Sequence, residues 1–472
     1  MGSLWGTSGI RKVFQNYSES DLMFTPQMAL DVGLSLGTYL NGKGTVVIGK
    51  DIRMSALPIE YALISGIIST GCNVKTLGIV TTPTLAMSSS YLDADAAVMI
   101  TASHNTPDYI GLKLWNPSGI GFSPEQEETL EEIYDKKEFL QIKWDEVGKV
   151  TQVNDINDIH ITDITNRIMF DGSGLNIIVD PGNGSSCDIV PKLLSSYNTN
   201  IMTINAQMDG RFPGRHSEPS KKNLNQIAKF LKISDQTDIG IALDGDADRV
   251  IFLDEDGEIV DPIRLLALMA REYIKDHDLQ KKEMKVATPV NSSSLIEDVL
   301  NPLGCEIIRT EVGDIKVALA LEKNDGFLGG ETSGTYIWPK FHLGPDSIIT
   351  IANVLLMVVS SGKNLKELLK DIPKYPYYAE KYKLKEDIPF NDKNYDDILD
   401  SMKDVFNKLG SKIKSVNRLD GCRIDYDGGW ILIRRSGTSP YLRISGESNV
   451  DLESTKELNK LAEDEMKRLD LI

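Results

Sequence analysis

Cysteine is scarce in this chain. The four present, Cys72, Cys187, Cys305 and Cys422, are far apart and form no Cys-x-x-Cys pair. That argues against a zinc site or a disulfide scaffold and predicts a reducing, cytoplasmic setting. The five histidines are equally scattered. Long apolar runs are missing too, since no stretch approaches the ~20 residues of a membrane span. The longest, residues 348–359, includes an asparagine and reads as a core helix. The first residues, Met-Gly-Ser-Leu-Trp-Gly-Thr, lack the basic and apolar regions of a signal peptide. Thr7 also falls one place too late for myristoylation. Positive charge is the last shortage: 51 basic residues face 69 acidic ones, for a net charge of −18. Such a surface repels nucleic acid. It would also repel an anionic substrate, so a phosphate-binding site here has to gather its own basic residues.

What is present is a repeated alternation. Strands at residues 45–48, 73–77 and 96–100 alternate with a helix at 56–70. The pattern restarts with a strand at 176–180, a helix at 186–196 and strands at 200–205 and 238–243. It restarts again at 285–290, where Asn291-Ser292-Ser293 reads as the cap of a helix running to residue 303. Strands at 306–309 and 326–329 follow. Alternation of this kind predicts mainly parallel mixed sheets covered by helices. The last hundred residues differ. A charged helix at 395–409 precedes strands at 422–426 and 430–434, joined through Asp427-Gly428-Gly429, a hairpin signal. A polar helix at 452–469 ends the chain. The expectation is three similar α/β domains, residues 1–155, 156–257 and 258–372, and a C-terminal α+β domain, residues 373–472, around a central cleft.

Two segments bear chemistry. In Asp244-Gly245-Asp246-Ala247-Asp248-Arg249 the acids alternate, so in an extended loop all three face one way. Hard divalent cations want such oxygen ligands, and Arg249 stands beside them. An EF-hand also spaces acids by two, and Glu255 falls at its twelfth position. Its obligatory sixth-position glycine is Arg249 here, however, and residues 250–253 are strand-like. A surface acidic turn is the bland alternative. The second segment is Thr101-Ala102-Ser103-His104-Asn105, directly after a strand, where open α/β sheets bind ligands. Alone it reads as a capped turn, and it carries no Gly-x-Ser-x-Gly elbow.

Taken together, these segments resemble the α-D-phosphohexomutases: Thr-Ala-Ser-His-Asn with Lys113 ten residues after the serine, then Asp-Gly-Asp-Ala-Asp-Arg. Three further segments match in order: Gly6-Thr7-Ser8-Gly9-Ile10-Arg11, Gly330-Glu331-Thr332-Ser333-Gly334, and Arg434-Arg435-Ser436-Gly437-Thr438-Ser439-Pro440 with Arg443. Lesser matches are Gly49-Lys50-Asp51-Ile52-Arg53, Asp180-Pro181-Gly182-Asn183-Gly184 and Val312-Gly313-Asp314. The resemblance covers nearly the whole chain.

The resemblance implies a mutase that interconverts hexose 1-phosphate and hexose 6-phosphate, of glucose or mannose, through phospho-Ser103 and a bound hexose 1,6-bisphosphate. It implies Mg²⁺ held by Asp244, Asp246, Asp248 and Ser103. Arg11 and Lys113 would stabilise charge on the transferring group, and Lys113 would exchange protons if its pKa were depressed. His104 is either a catalytic neighbour or a residue that shapes the loop. Glu331 and Ser333 would bind sugar hydroxyls. Arg249, Arg434, Ser436, Gly437, Thr438 and Arg443 would bind phosphate. Sugar phosphates are then the partners, with no nucleic acid and no membrane; the oligomeric state is not readable. Some positions depart from the family pattern. Thr335 stands where histidine is usual, with His342 seven residues on as a replacement, or none. Ser439 stands for Glu, Thr106 for Pro, Ile110 for Asn and Lys12 for Gly. Phosphoglucosamine mutase is the alternative within the family. A non-catalytic sugar-phosphate binder and a metal-dependent phosphatase are the alternatives outside it.

Overall fold

A computed structural model describes residues 4–6, 9–18, 20, 22–234, 236–277, 279–385, 390–436 and 440–472. Four sheets follow one another along the chain. The first has seven strands, in the order Met23–Phe24, Ile10–Phe14, Tyr109–Trp115, Ala96–Ile100, Thr45–Lys50, Asn73–Ile79 and Val150–Gln152. Its last four strands are parallel, while Tyr109–Trp115 runs antiparallel to both neighbours. The second sheet orders Val250–Leu253, Ile239–Leu243, Asn176–Asp180 and Asn200–Thr203. The third orders Glu306–Thr310, Lys285–Pro289, Leu328–Gly330 and Tyr336–Ile337. Each of these two is parallel apart from one antiparallel edge strand. The fourth is a five-stranded antiparallel sheet, Tyr377–Lys383, Tyr441–Ser448, Gly429–Arg435, Cys422–Tyr426 and Ile413–Asn417.

The first and fourth sheets have apolar cores of their own. The second and third share one, running from Ile161 to Ile372. Apolar packing makes the middle of the molecule a single body, although the sequence pattern restarts within it. A small cluster of Val290, Trp430 and Leu432 joins the fourth sheet to this body.

Three helices position the site. Helix α1 (Thr82–Tyr91) starts at Thr81, whose hydroxyl accepts the N–H of Thr84, with Pro83 in the first turn where its missing N–H costs nothing. Helix α2 is Ile156–Arg167. Helix α3 (Ser347–Ser361) is the expected apolar core helix. Asp346 caps its start, and Gly362 in the left-handed region ends it. No described helix is long and apolar enough to cross a membrane.

The helix expected up to residue 303 is shorter. It spans Leu295–Leu300 and ends in a 3₁₀ turn, Asn301–Leu303, that contains Pro302. Of the expected capping residues, Ser293 takes part, its Oγ accepting the Leu295 N–H at 3.2 Å. The preceding residue Ser294 gives both its N–H and its hydroxyl to Glu447 in the fourth sheet.

Candidate active site

The strand Ala96–Ile100 is wholly buried and delivers the chain into the Ser103 turn. Ser103 has φ 49°, a left-handed conformation that costs a non-glycine residue about 1–2 kcal/mol. The surroundings hold it there. Its N–H donates to Thr101 Oγ1 at 2.8 Å, and that hydroxyl donates to Asp51 Oδ2 at 2.7 Å. Arg53, buried and paired with Asp51, donates to the carbonyls of Ser103, Asn105, Thr106 and Tyr109 at 2.6–3.0 Å. Burial raises Asp51, against the pull of Arg53 and Thr101. Nothing local in the sequence announces this frame. Gly49-Lys50-Asp51-Ile52-Arg53 was its one visible sign.

The buried strand Ile239–Leu243 delivers the aspartate loop to the same point. Gly245 is required there: a Cβ would lie 3.0 Å from the Ser103 carbonyl oxygen and 2.8 Å from Ser217 Oγ. Ser103 Oγ donates to Asp244 Oδ2 at 2.9 Å. Asp246 Oδ2 accepts from Thr82 Oγ1 at 2.7 Å and from Lys113 Nζ at 3.1 Å. Lys113 also donates to Asp248 Oδ2. The strand Val250–Leu253 follows at once, which excludes a calcium loop.

A divalent cation fits these residues. One oxygen from each aspartate lies within 4.8 Å of the others, all three side chains are buried, and Asp246 Oδ1 and Asp248 Oδ1 have no hydrogen-bond partner. Burial, then Asp248 and Asp246, push Asp244 well above the carboxylate range. Burial also acts on Asp248, but Lys113 and Arg249 overcome it and hold that group low. Three acids with too little compensating charge suit a hard cation.

Lys113 overturns an expectation. Burial would lower its pKa, yet Asp246 and Asp248 outweigh burial and raise it. It is a firmly held ammonium in this structure. It also sits inside a buried strand, Tyr109–Trp115, in which Ile110, Leu112 and Leu114 alternate with Gly111 and Lys113. His104 Nδ1 lies 3.3 Å from Ser103 Oγ. Burial, then Arg249 and Arg11, lower its pKa to about 3, so the ring is neutral.

A cavity of about 960 Å³ opens from this point towards the fourth sheet. Arg11, His104, Asp248, Arg249, Glu331, Ser333 and Arg443 line it. Burial lowers Arg11, whose Nε has no hydrogen-bond partner. Burial and then Asp314 push Glu331 up to about 7, and its Oε1 accepts the Gly313 N–H at 3.0 Å. Ser333 Oγ lies 3.1 Å from Thr335 Oγ1.

Other expected residues lie elsewhere. Arg434 does not line the cavity; its Nε is 2.7 Å from Asp420, which also accepts the Val312 N–H. Ser436 is buried, with its N–H on the Tyr441 carbonyl. Gly437 and Thr438 lie outside the described residues. His342 does not replace the missing sugar-loop histidine. Its Nε2 donates to Asp346 at 2.9 Å and its Nδ1 accepts the Gly344 N–H, so both ring nitrogens are engaged away from the cavity. Lys381, missing from the expectations, lines the cavity opposite Arg443 in the strand register. Pairing between strands sixty residues apart leaves no mark in either segment alone.

The site thus brings an activatable hydroxyl, a carboxylate triplet and several cations to one end of a cavity, with Arg443 and Lys381 at the other. Family descriptions for phosphoglucomutase/phosphomannomutase match nearly all of the chain. Alpha/beta/alpha domain I matches residues 2–141, domain II 158–257, domain III 261–375 and the C-terminal domain 388–467. A "Probable phosphoglucosamine mutase" of Methanopyrus kandleri is 38% identical over 458 residues, 97% of this chain and 96% of that protein. A "Phosphoglucomutase/phosphomannomutase" of Thermococcus kodakarensis is 35% identical over 477 residues, 99% of this chain and 100% of that protein. A solved phosphoglucomutase/phosphomannomutase family protein from Burkholderia thailandensis has the same fold. It matches with a TM-score of 0.83 at 24% identity, over 98% of this chain and 96% of its own.

Proposed function

Because the chain belongs to the phosphoglucomutase/phosphomannomutase family and is a phosphohexomutase, we propose that it interconverts the 1- and 6-phosphates of glucose or mannose with Ser103 as phosphoryl carrier. The observation that carries this reading is the meeting of Ser103 Oγ with Asp244, 2.9 Å apart, from two different sheets. Phospho-Ser103 gives its phosphoryl group to the free sugar hydroxyl: the P–O(Ser) bond breaks, a P–O(sugar) bond forms, and the hydroxyl proton ends on the freed Ser103 oxygen. The product is a bound hexose 1,6-bisphosphate. It turns over in the cavity, and Ser103 Oγ attacks the other phosphate: a P–O(Ser) bond forms, the P–O(sugar) bond breaks, and the Ser103 hydroxyl proton ends on the freed sugar oxygen.

Asp244, Asp246 and Asp248, with an oxygen on Ser103, would hold Mg²⁺, which supplies charge neutralisation at the transferring phosphoryl group. Arg11 and the ammonium of Lys113 stabilise charge beside it. The neutral ring of His104 shapes the Ser103 turn and does not carry charge. Arg443 and Lys381 hold the phosphate that is not reacting, together with the segment containing Ser436, Gly437 and Thr438. Arg249 faces the reacting end. Glu331 and Ser333 bind hydroxyls common to both orientations of the sugar.

A second reading, phosphoglucosamine mutase, is supported by the name of the Methanopyrus kandleri relative. Turnover of glucose-, mannose- and glucosamine-1-phosphate with Mg²⁺ present separates the two. Peptide mass spectrometry after addition of a hexose 1,6-bisphosphate tests the mechanism. Phosphate on the Ser103 peptide is expected; its absence there rules out the carrier role. Release of inorganic phosphate in place of isomerised sugar would point to a phosphatase.

A further inference from the structure

Behind the aspartate loop, away from the cavity, lies a second buried cluster: His160 on α2, with His342 and Asp346 at the start of α3. Asp346 Oδ1 accepts the N–H groups of Ile348 and Ile349, both at 2.7 Å. Its Oδ2 accepts His342 Nε2 at 2.9 Å and lies 3.2 Å from His160 Nε2, a close ion-pair contact without hydrogen-bond alignment. The other nitrogen of His160, Nδ1, is 3.0 Å from Thr84 Oγ1. That oxygen is 2.8 Å from Thr81 Oγ1, the cap of α1. His160 therefore bridges the capping residues of two helices from different parts of the molecule.

Both helix starts grip the aspartate loop. Thr82, the first residue of α1, donates its hydroxyl to Asp246 Oδ2 at 2.7 Å and its N–H to the Asp246 carbonyl at 2.9 Å. Ser347, the first residue of α3, donates its hydroxyl to the Ala247 carbonyl at 2.6 Å. Ala247 has φ 59°, so the loop's conformation has to be imposed from outside.

We propose that His160 and Asp346 are positioning residues for metal binding: by tying the starts of α1 and α3 together, they hold Thr82 and Ser347 where these fix the Asp246–Ala247 turn in ligand geometry. This deepens the reading of the aspartate loop as the metal site and rests on it. Groups behind a ligand that orient it are commonly worth 10–100-fold in metal affinity.

The cluster is not itself a second metal site. The Gly344 N–H donates to His342 Nδ1 at 3.1 Å, which puts that ring's proton on Nε2. A lone pair on His160 Nε2 would face the Asp346 carboxylate at 3.2 Å and be repelled, so it carries a proton as well. Neither histidine offers a lone pair to a cation. The same two protons explain why Asp346 sits below the usual carboxylate range despite its burial, with His160 the larger of the two influences.

Mn²⁺ binding to the full chain, followed by electron paramagnetic resonance, tests the proposal without relying on turnover. His160→Leu is expected to weaken Mn²⁺ about tenfold. Thr84→Val, which removes only the hydroxyl link and preserves shape, should weaken it less, in the same direction. His160→Gln, which keeps a donor towards Asp346, should recover part of the loss. KM for the sugar phosphate at saturating Mg²⁺ should move less than about twofold, since Arg443 and Glu331 are untouched. If His160→Leu fails to fold, Thr84→Val and His160→Gln decide the matter. Wild-type Mn²⁺ affinity in the folded variants overturns the proposal. So does a second bound ion per wild-type chain that His160→Gln removes. Asp246→Asn separates the two readings: if it binds Mn²⁺ like the wild type, the metal assignment itself falls, and this inference with it. If it loses Mn²⁺ while the other variants do not, only the positioning role falls.

Discussion

At one end of the cavity, Ser103, Asp244, Asp246 and Lys113 are buried, and the turn carrying Ser103 is held by four hydrogen bonds from a single arginine. At the other end, Lys381 is exposed, Arg443 Nε has no hydrogen-bond partner, and the sheet carrying both has its own core. Among the described residues, that sheet meets the rest of the molecule through a small apolar cluster and polar contacts such as Arg423 to the carbonyls of Val290 and Ser292. The contrast follows from the proposed chemistry. Phosphoryl transfer depends on charges fixed before the reaction. The distal end has to accept either phosphate of a turning bisphosphate and then release it, which charge on adaptable side chains does better than a rigid mould.

Substitutions at the two ends should therefore fail in different ways. Ser103→Ala is expected to have the largest effect, a fall in kcat of about 10⁴-fold or more in steady-state assays, because no other group carries the phosphate. Substantial residual mutase activity would remove the buried end from the centre of the mechanism. Asp246→Ala should lower kcat by about 10²–10³-fold and abolish the response of the rate to added Mg²⁺. Retained Mg²⁺ dependence would move the metal site elsewhere. Arg443→Ala should act on binding instead. KM should rise about 10–100-fold, the worth of one or two charge-assisted hydrogen bonds, with kcat within a few fold. An equal loss in kcat would mean that the distal end too is committed to the transition state.

The smallest effect concerns Glu331, midway between the ends. Burial and Asp314 raise its carboxyl to about 7, so it gains a proton as pH falls through neutrality. The ionised form is the better acceptor for sugar hydroxyls. Hence kcat/KM should fall several-fold between about pH 8 and 6, and Glu331→Gln should flatten that limb of the profile. A limb unchanged in the variant would assign it to another group.

The parts of the site that were legible in the sequence are those whose chemistry is local. Three aspartates at alternate positions share one stretch of backbone, so their convergence needs no partner. The turn of Ser103 follows a short apolar strand and could be placed on the sheet edge by pattern alone. Lys113 was legible as a site residue but not as a buried ammonium: a lysine within an apolar segment says nothing about the two carboxylates it will meet. In the strand Tyr109–Trp115, Ile110, Leu112 and Leu114 alternate with Gly111 and Lys113 as in a half-buried strand, yet the other face is buried too, and there Lys113 meets the aspartate loop. Arg434 and His342 stand within or near matched segments, and only the folded chain turns them towards Asp420 and Asp346. Arg53 was visible only as part of a short motif, because the four backbone carbonyls it binds are fifty or more residues away.

The amino-acid sequence by itself determined the repeated alternation of strands and helices, the gathering of three carboxylates in one loop and the identity of the hydroxyl that follows the strand Ala96–Ile100. These depend on interactions between neighbours along the chain and on side-chain chemistry, which neighbours share. The tertiary structure alone decided which charges are paired, which carboxyls hold protons, and what steadies the loop from behind. Those outcomes follow from distance through space and removal from water, and neither quantity is written in the spacing of residues along a chain.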